Sequence, residues 1–165
     1  TVLETCSGAG FTTISLARYA RHVYSIDIDG FRLETAKKNA QIAGLANKIT
    51  FINGDVTETK TLESVPDVDS AFIDPDWAVS GVNHVFRFLN SNTNPPSDKL
   101  LELINKKTPN ITLVQPPGID KKEFENLLPH ECEYLYLNNK HELYCLHFGR
   151  LRKFVGESKF DIKDI

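Results

Sequence analysis

Short apolar, β-branched runs alternate along this chain with segments of helical period, and that alternation constrains the fold more than any other feature. The runs 1–4 (TVLE), 23–27 (VYSID), 49–53 (ITFIN), 70–73 (SAFI) and 111–115 (ITLVQ) predict strands, and helices are expected near 12–20, 31–43, 57–64, 98–107 and 120–128. Within 31–43, Leu33, Ala36, Ala40 and Ala43 recur at spacings of three and four and form one apolar stripe. Asp29 is expected to cap that helix and Gly44 to stop it in a left-handed conformation. Asp120 and Glu123 resemble a capping box, Pro129 ends the helix that follows, and Ser97 is expected to cap 98–107. Strands joined by right-handed crossover helices give a mostly parallel sheet with helices on both faces. The runs 132–137 (CEYLYL) and 142–148 (ELYCLHF) are joined only by Asn138 to His141, too short for a crossover, so they predict an antiparallel hairpin at one edge. The expected fold class is α/β, a Rossmann-like sheet of seven strands.

A chain of 165 residues has room for one core, so a single domain over 1–165 is expected. It opens on Thr1 and contains no Met, which suggests a piece of a longer protein that lacks an N-terminal segment. Net charge of −3 argues against a broad electropositive coat for nucleic acid, but not against one base held in a pocket. Cys6, Cys132 and Cys145 are too few and too irregular for a disulfide framework or zinc knuckle; Cys132 and Cys145 either face each other across the hairpin or are packed, reduced thiols. The five histidines show no HxxxH spacing, and no metal is expected. No apolar run approaches the roughly 18 residues of a membrane span and no signal peptide is visible, so an intracellular place is expected, cytoplasmic, or nuclear in a eukaryote. Oligomeric state stays open. The one long irregular stretch, 78–97 with its NSNTNPPS, lies where a substrate lid would sit.

Open α/β sheets bind ligands beyond the carboxyl ends of their strands. The first strand runs into ETCSGAGFTT, where Gly8 and Gly10 permit tight turns and close approach to a ligand, and Thr12 or Thr13 opens the helix. A dinucleotide fingerprint wants a third glycine at position 13; Thr13 stands there instead and favours a nucleoside cofactor without a pyrophosphate. Asp27 ends the second strand, and an acceptor-only carboxylate there can hold both hydroxyls of a ribose; Asp29 is read as the helix cap. Asp55, after the third strand, can accept from an adenine amine. S-adenosylmethionine suits this arrangement, with Glu4, Cys6, Thr13, Ile28, Val56 and Asp74 completing the expected cofactor shell.

The fourth strand delivers AFIDPDW. An exocyclic amine on a nucleobase is a poor nucleophile because its lone pair is delocalised into the ring. Asp74, with a main-chain carbonyl near Pro75, could hold the N–H bonds and favour attack, and Pro75 limits how far that carbonyl wanders. Trp77 would be the platform on which the base stacks. IDPDW resembles the [N/D/S]-P-P-[Y/F/W] signature of amino-group nucleic-acid methyltransferases, in the tryptophan form of trimethylguanosine synthases, the RNA cap guanine-N2 methyltransferases. ETCSGAGFTT, IDIDGFRLETAKKNA, NKITFINGD and the tail YLNNKHELYCLHFGRLRK are similar to that family's other motifs, over nearly the whole chain. The resemblance implies a class I methyltransferase fold and an RNA guanine as substrate. It implies that Trp77 stacks on the guanine and that Asp74 sits at its amine. Asp76 departs from the signature, standing at its second proline, and either accepts from the guanine N1–H or is simply solvated; Asn139 and Lys140 are expected to bind substrate. Lys140, Arg150, Arg152 and Lys153 are either a phosphate-contacting patch or a solvated edge. Two other readings stay open. One moves the methyl to an adenine amine or a glutamine side chain, and the other is a cofactor-binding module without catalysis.

Overall fold

The computed structural model describes residues 1–77 and 85–163. They fall into two compact units, Thr1–Asp74 and Pro75–Ile165.

The first unit contains β1 (Val2–Thr5), α1 (Phe11–Tyr19), β2 (Val23–Asp27), α2 (Gly30–Ile42), β3 (Ile49–Asn53), α3 (Thr59–Glu63) and β4 (Ser70–Ile73). Its strands stand in the order β3-β2-β1-β4, and every pairing is parallel. From β1 the chain steps outward to β2 and β3, then returns past β1 to form β4, so strand order reverses beside β1. That reversal is where a parallel sheet of this kind opens a crevice for a ligand. Leu3, Val23, Ile26, Ala71 and Ile73 are all buried, as expected of parallel strands covered on both faces.

Both long helices of this unit form for the reasons legible in their residues. Asp29 caps α2, its Oδ1 accepting from the N–H of Phe31 at 2.9 Å and of Arg32 at 3.2 Å. Gly44, at φ 71°, ends it. Leu33, Ala36 and Ala40 are the buried stripe, whereas Ala43 is exposed because it already lies at the C-cap. Ala40 packs with Ala17 of α1 and with Val23 and Ile49 of the sheet. Lys48 donates its ammonium to the carbonyls of Ala17 and Ala20, at 3.0 and 3.1 Å, and so places a cation at the C-terminus of α1.

The second unit contains α4 (Ser97–Asn105), β5 (Ile111–Gln115), β6 (His130–Leu137), β7 (Lys140–Phe148) and β8 (Gly156–Ile162), with strand order β5-β7-β6-β8. Leu100 and Ile104 of α4 are buried, as are Ile111, Leu113, Leu146 and Phe148 of the strands. Eight strands are described, one more than the sequence predicts. The antiparallel hairpin is present, turning at Asn138 (φ 51°) and Asn139 (φ 66°), a residue type that tolerates left-handed backbone. It is not at an edge: β7 also pairs antiparallel with β5, and β6 pairs parallel with β8.

Other expectations are corrected here. The segment 120–128 holds only a 3₁₀ turn, Lys121–Phe124. Asp120 does cap it, but Glu123 serves a different segment. Its Oε2 accepts from the N–H of Phe88 at 2.8 Å and of Leu89 at 2.9 Å, and its Oε1 from Arg87 Nε at 2.5 Å. Ser97 opens α4 from inside, with Pro96 at the cap position. The Ser97 hydroxyl instead joins a buried chain, 2.8 Å from Thr93 Oγ1 and accepting from Gln115 Nε2 at 2.9 Å. Cys132 pairs across the hairpin with Leu146, and Cys145 with Glu133, so the two thiols point to opposite faces; none of the three cysteines is in a disulfide. Of the expected lid, residues 78–84 lie outside the described residues.

Candidate active site

The turn after β1 holds Cys6, Gly8 and Gly10 at φ 59°, 54° and 81°. Such left-handed backbone is easy for glycine and strained for Cys6. The two glycines have different tasks. A Cβ added to Gly8 would meet nothing within 4 Å, so its main chain borders open space. One added to Gly10 would stand 2.7 Å from Ala36 Cβ, so Gly10 lets α2 pack against the start of α1. Asn39 of α2 fixes the same turn by donating from Nδ2 to the Ala9 carbonyl at 2.9 Å.

Asp27, at the end of β2, is buried. Its Oδ2 accepts the Gly8 N–H at 2.7 Å and its Oδ1 accepts the Asp29 N–H at 2.8 Å. A carboxylate offers about four acceptor positions, so each oxygen keeps capacity for a ligand hydroxyl. Asn53 ends β3 and donates from Nδ2 to the carbonyls of Asp27 and Ile28, both at 3.0 Å. Sequence reasoning missed Asn53 and Asn39. The available signal was an amide side chain at a strand tip and on the helix face nearest the glycine turn. Asp55 accepts both the N–H and the hydroxyl of Thr57 on Oδ1, at 2.8 and 2.7 Å, which shapes its own turn. Val56 is buried, so only its main chain can face a ligand; Ile28 beside Asp27 is 70% exposed.

Glu4 is the most unusual group in this unit. It is 2% exposed, and burial raises its carboxyl pKa to about 7 against the pull of the Thr13 hydroxyl; Asp74 and Asp27 push it up further, and Ser25 lowers it. Glu4 Oε2, Thr5 Oγ1 and Ser7 Oγ are buried with no hydrogen-bond partner among the described residues. Buried polar atoms are nearly always satisfied, so three together along β1 and its turn imply a polar ligand or water. A methyl donor bearing an ammonium, a sulfonium and two ribose hydroxyls fits that set. Carboxylates favour its cations, the Gly8 main chain gives access, and Asp27 retains acceptors for the hydroxyls.

In the second unit Pro75 is buried, Asp76 exposed and Trp77 half-buried. Asp76 and Asn94 exchange main-chain hydrogen bonds, Asp76 N–H to Asn94 O at 2.9 Å and Asn94 N–H to Asp76 O at 2.7 Å. Trp77 meets Phe86 edge to face, ring centroids 6.3 Å apart. Asn139 and Lys140 lie at the β6–β7 turn with partners of their own. Asn139 Oδ1 accepts from Lys163 Nζ at 2.7 Å, and Lys140 pairs with Glu142 at 2.9 Å.

Comparison with known proteins gives first the class. A protein of Porphyromonas gingivalis W83 described as a methyltransferase superposes with TM-score 0.71 at 16% identity, covering 94% of this chain and 38% of that one. TrmK of M. capricolum, solved with S-adenosyl-homocysteine, superposes with TM-score 0.60 at 15% identity, covering 94% of this chain and 63% of its own. The fold is that of the class I methyltransferases. A profile of the RNA cap guanine-N2 methyltransferases matches residues 1–150, and the chain belongs to that family. S-adenosylmethionine is accordingly its cofactor. A curated protein of Methanothermobacter thermautotrophicus, described as a cobalt-precorrin-6B C(15)-methyltransferase (decarboxylating), is 36% identical over 66 residues, 40% of this chain. The chain spans about a third of that relative's length, 33%. No helix among the described residues is long and apolar enough to cross a membrane.

Proposed function

We propose that this chain transfers a methyl group from S-adenosylmethionine to the exocyclic amine, N2, of a guanine in RNA. The observation that carries the reading is the family match over residues 1–150, which spans the Asp74-Pro75-Asp76-Trp77 segment directly after β4. The cofactor supplies an electrophilic methyl on a sulfonium. Asp27 holds the ribose hydroxyls with the acceptor capacity left by Gly8 and Asp29. The free Asp55 oxygen takes the adenine amine, and exposed Ile28 packs on the adenine plane. Glu4 faces the donor's ammonium.

Toward the base, an Asp74 oxygen accepts an N2–H bond, which holds the amine lone pair for attack, and receives the proton as the new N–C bond forms. Pro75 fixes the main chain beside it. Trp77 stacks on the guanine, and a cationic 7-methylguanine would add roughly 0.5–2 kcal/mol of cation–π attraction. The Asp76 main chain is committed to Asn94, while its exposed carboxylate is available to the guanine N1–H. Lys140, at the β6–β7 turn, supplies a phosphate contact outside the base pocket, whereas Arg150, Arg152 and Lys153 follow the far end of β7 and form no patch with it. One feature favours a second reading, a cofactor-binding module without catalysis: Asp76 stands where the signature has its second proline.

The test is full-length protein with methyl-labelled cofactor and total RNA of its source, followed by nucleoside analysis. N2-methylguanosine is expected, with transfer lost in Trp77→Ala while cofactor affinity stays within about twofold. Label appearing in an adenosine or a protein, or full transfer by Trp77→Ala, would overturn the assignment.

A further inference from the structure

The second unit carries a cluster of ligating side chains that methyl transfer does not use. Glu133 of β6 and Cys145 of β7 are direct partners across the hairpin, and His147 lies two residues beyond Cys145. Side chains alternate along a strand, so all three share one sheet face. Thr112 of β5 faces His147 from the other side, on that same surface.

We propose that Glu133, Cys145 and His147 bind a divalent transition-metal ion of the Zn²⁺ type. Their carboxylate oxygen, thiol sulfur and imidazole nitrogen lie within 4.8 Å of one another. His147 Nε2 stands 3.3 Å from Glu133 Oε2. Zinc bonds of about 2.0–2.1 Å to nitrogen and oxygen, opened to the tetrahedral angle, place two ligand atoms about 3.3 Å apart, which matches that separation.

The other imidazole nitrogen, Nδ1, lies 2.9 Å from Thr112 Oγ1. With Nδ1–H donating to the hydroxyl, the ring is held in the tautomer whose Nε2 lone pair faces Glu133 and Cys145. Metal-ligating histidines are oriented in this way by a second hydrogen bond. Lone pair and carboxylate would then repel unless a cation sits between them. Thiolate, imidazole and carboxylate together are a borderline-soft donor set, which selects Zn²⁺ over Mg²⁺ or Ca²⁺.

Both side chains of the Glu133–His147 pair are 19% exposed, shielded enough to strengthen binding and open enough for an ion to enter. Neighbouring Glu131 is not a fourth ligand. Its Oε2 accepts the Lys153 N–H at 2.8 Å and its Oε1 the Ser158 hydroxyl at 2.7 Å. The fourth position is therefore left to water or an incoming anion. Histidine spacing alone hides the site, because its ligands come from two strands; the local signal is Cys-x-His at strand period. The inference is independent of the methyl-transfer reading.

The test uses chelator-stripped protein titrated with Zn²⁺, and with Co²⁺ as a spectroscopic probe. One ion per chain is expected, with a thiolate-to-cobalt charge-transfer band, tetrahedral d–d bands and release of protons on binding. Cys145→Ser should remove the charge-transfer band. His147→Ala and Glu133→Gln should each weaken binding at least tenfold, and Thr112→Val, which keeps all three ligands, should weaken it about 10- to 100-fold. Absence of the charge-transfer band in wild-type protein would overturn the proposal in favour of a proton shared by His147 and Glu133. So would unchanged binding in a folded Cys145→Ser/His147→Ala double variant. The wild-type titration decides even where a variant fails to fold.

Discussion

Asp27 and Gly8 are joined by a 2.7 Å hydrogen bond from the Gly8 main chain to the Asp27 carboxylate, which ties the turn after β1 to the tip of β2. The carboxylate read from the sequence as a ribose ligand thus also shapes the glycine turn of the proposed cofactor site. Asp27→Asn should therefore weaken cofactor binding more than loss of a ribose contact alone. Charge-assisted hydrogen bonds contribute about 1.5–3 kcal/mol, so a loss of about 10- to 100-fold by calorimetry is expected. An unchanged dissociation constant would remove Asp27 from the site.

Glu4 makes stability depend on pH in an unusual direction. Its carboxyl binds a proton more tightly in the folded protein, with a pKa of about 7 against 4.5 ordinarily. Between those values the native state holds more protons than the unfolded chain, so stability falls as pH rises through this window. The full difference is on the order of 3 kcal/mol, and Glu4→Gln should abolish it in denaturant melts taken across that range. Cofactor cations favour the ionised form, so affinity should rise as pH increases through about 7 in wild type and stay flat in Glu4→Gln.

Gly10→Ala should destabilise the first unit by about 1–3 kcal/mol. Two causes act together, a φ of 81° and a Cβ placed 2.7 Å from Ala36 Cβ. Adding Ala36→Gly relieves the contact but not the backbone strain. A double-mutant cycle should therefore show a coupling of about 1 kcal/mol, whereas zero coupling would mean that the helices do not meet there.

Glu123→Gln should loosen residues 87–89 and leave β5 to β8 in place. The carboxylate takes three donors, Arg87 Nε and the N–H groups of Phe88 and Leu89. The amide turns an NH2 donor toward Arg87 or toward the two N–H groups, and its one neutral oxygen holds donors more weakly than a carboxylate does. Hydrogen exchange at the Phe88 and Leu89 amides should accelerate at least tenfold, and unchanged protection there would refute the anchoring role.

The first unit was legible because its local signals agree with its tertiary environment. Val23 and Ile26 sit in an apolar run, Asp29 and Gly44 punctuate α2, and all four act as their residue types suggest. In the second unit tertiary partners override local cues. Glu123 has the spacing of a capping box, but two main-chain N–H groups from a distant segment hold it more strongly than its own turn. β8 escaped notice because GESKFDI offers only Phe160 and Ile162 as apolar residues, and its conformation comes from pairing with β6. Of the site, the strand tips were readable as single carboxylates. Their connection through Gly8, Asn39 and Asn53 was not, because those bonds span up to thirty positions of sequence.

The paired main-chain bonds between Asp76 and Asn94 act as a clasp at the base of the segment they enclose. Chain length inside a clasp can change at little entropic cost, since closure grows only logarithmically with residue number. The return arm, residues 86–94, is not so free: Phe88 is buried, and Glu123 holds the N–H groups of Phe88 and Leu89. An insertion between Phe86 and Asn94 would therefore be felt as lost packing rather than as a longer loop, and this arm belongs to the framework of the second unit.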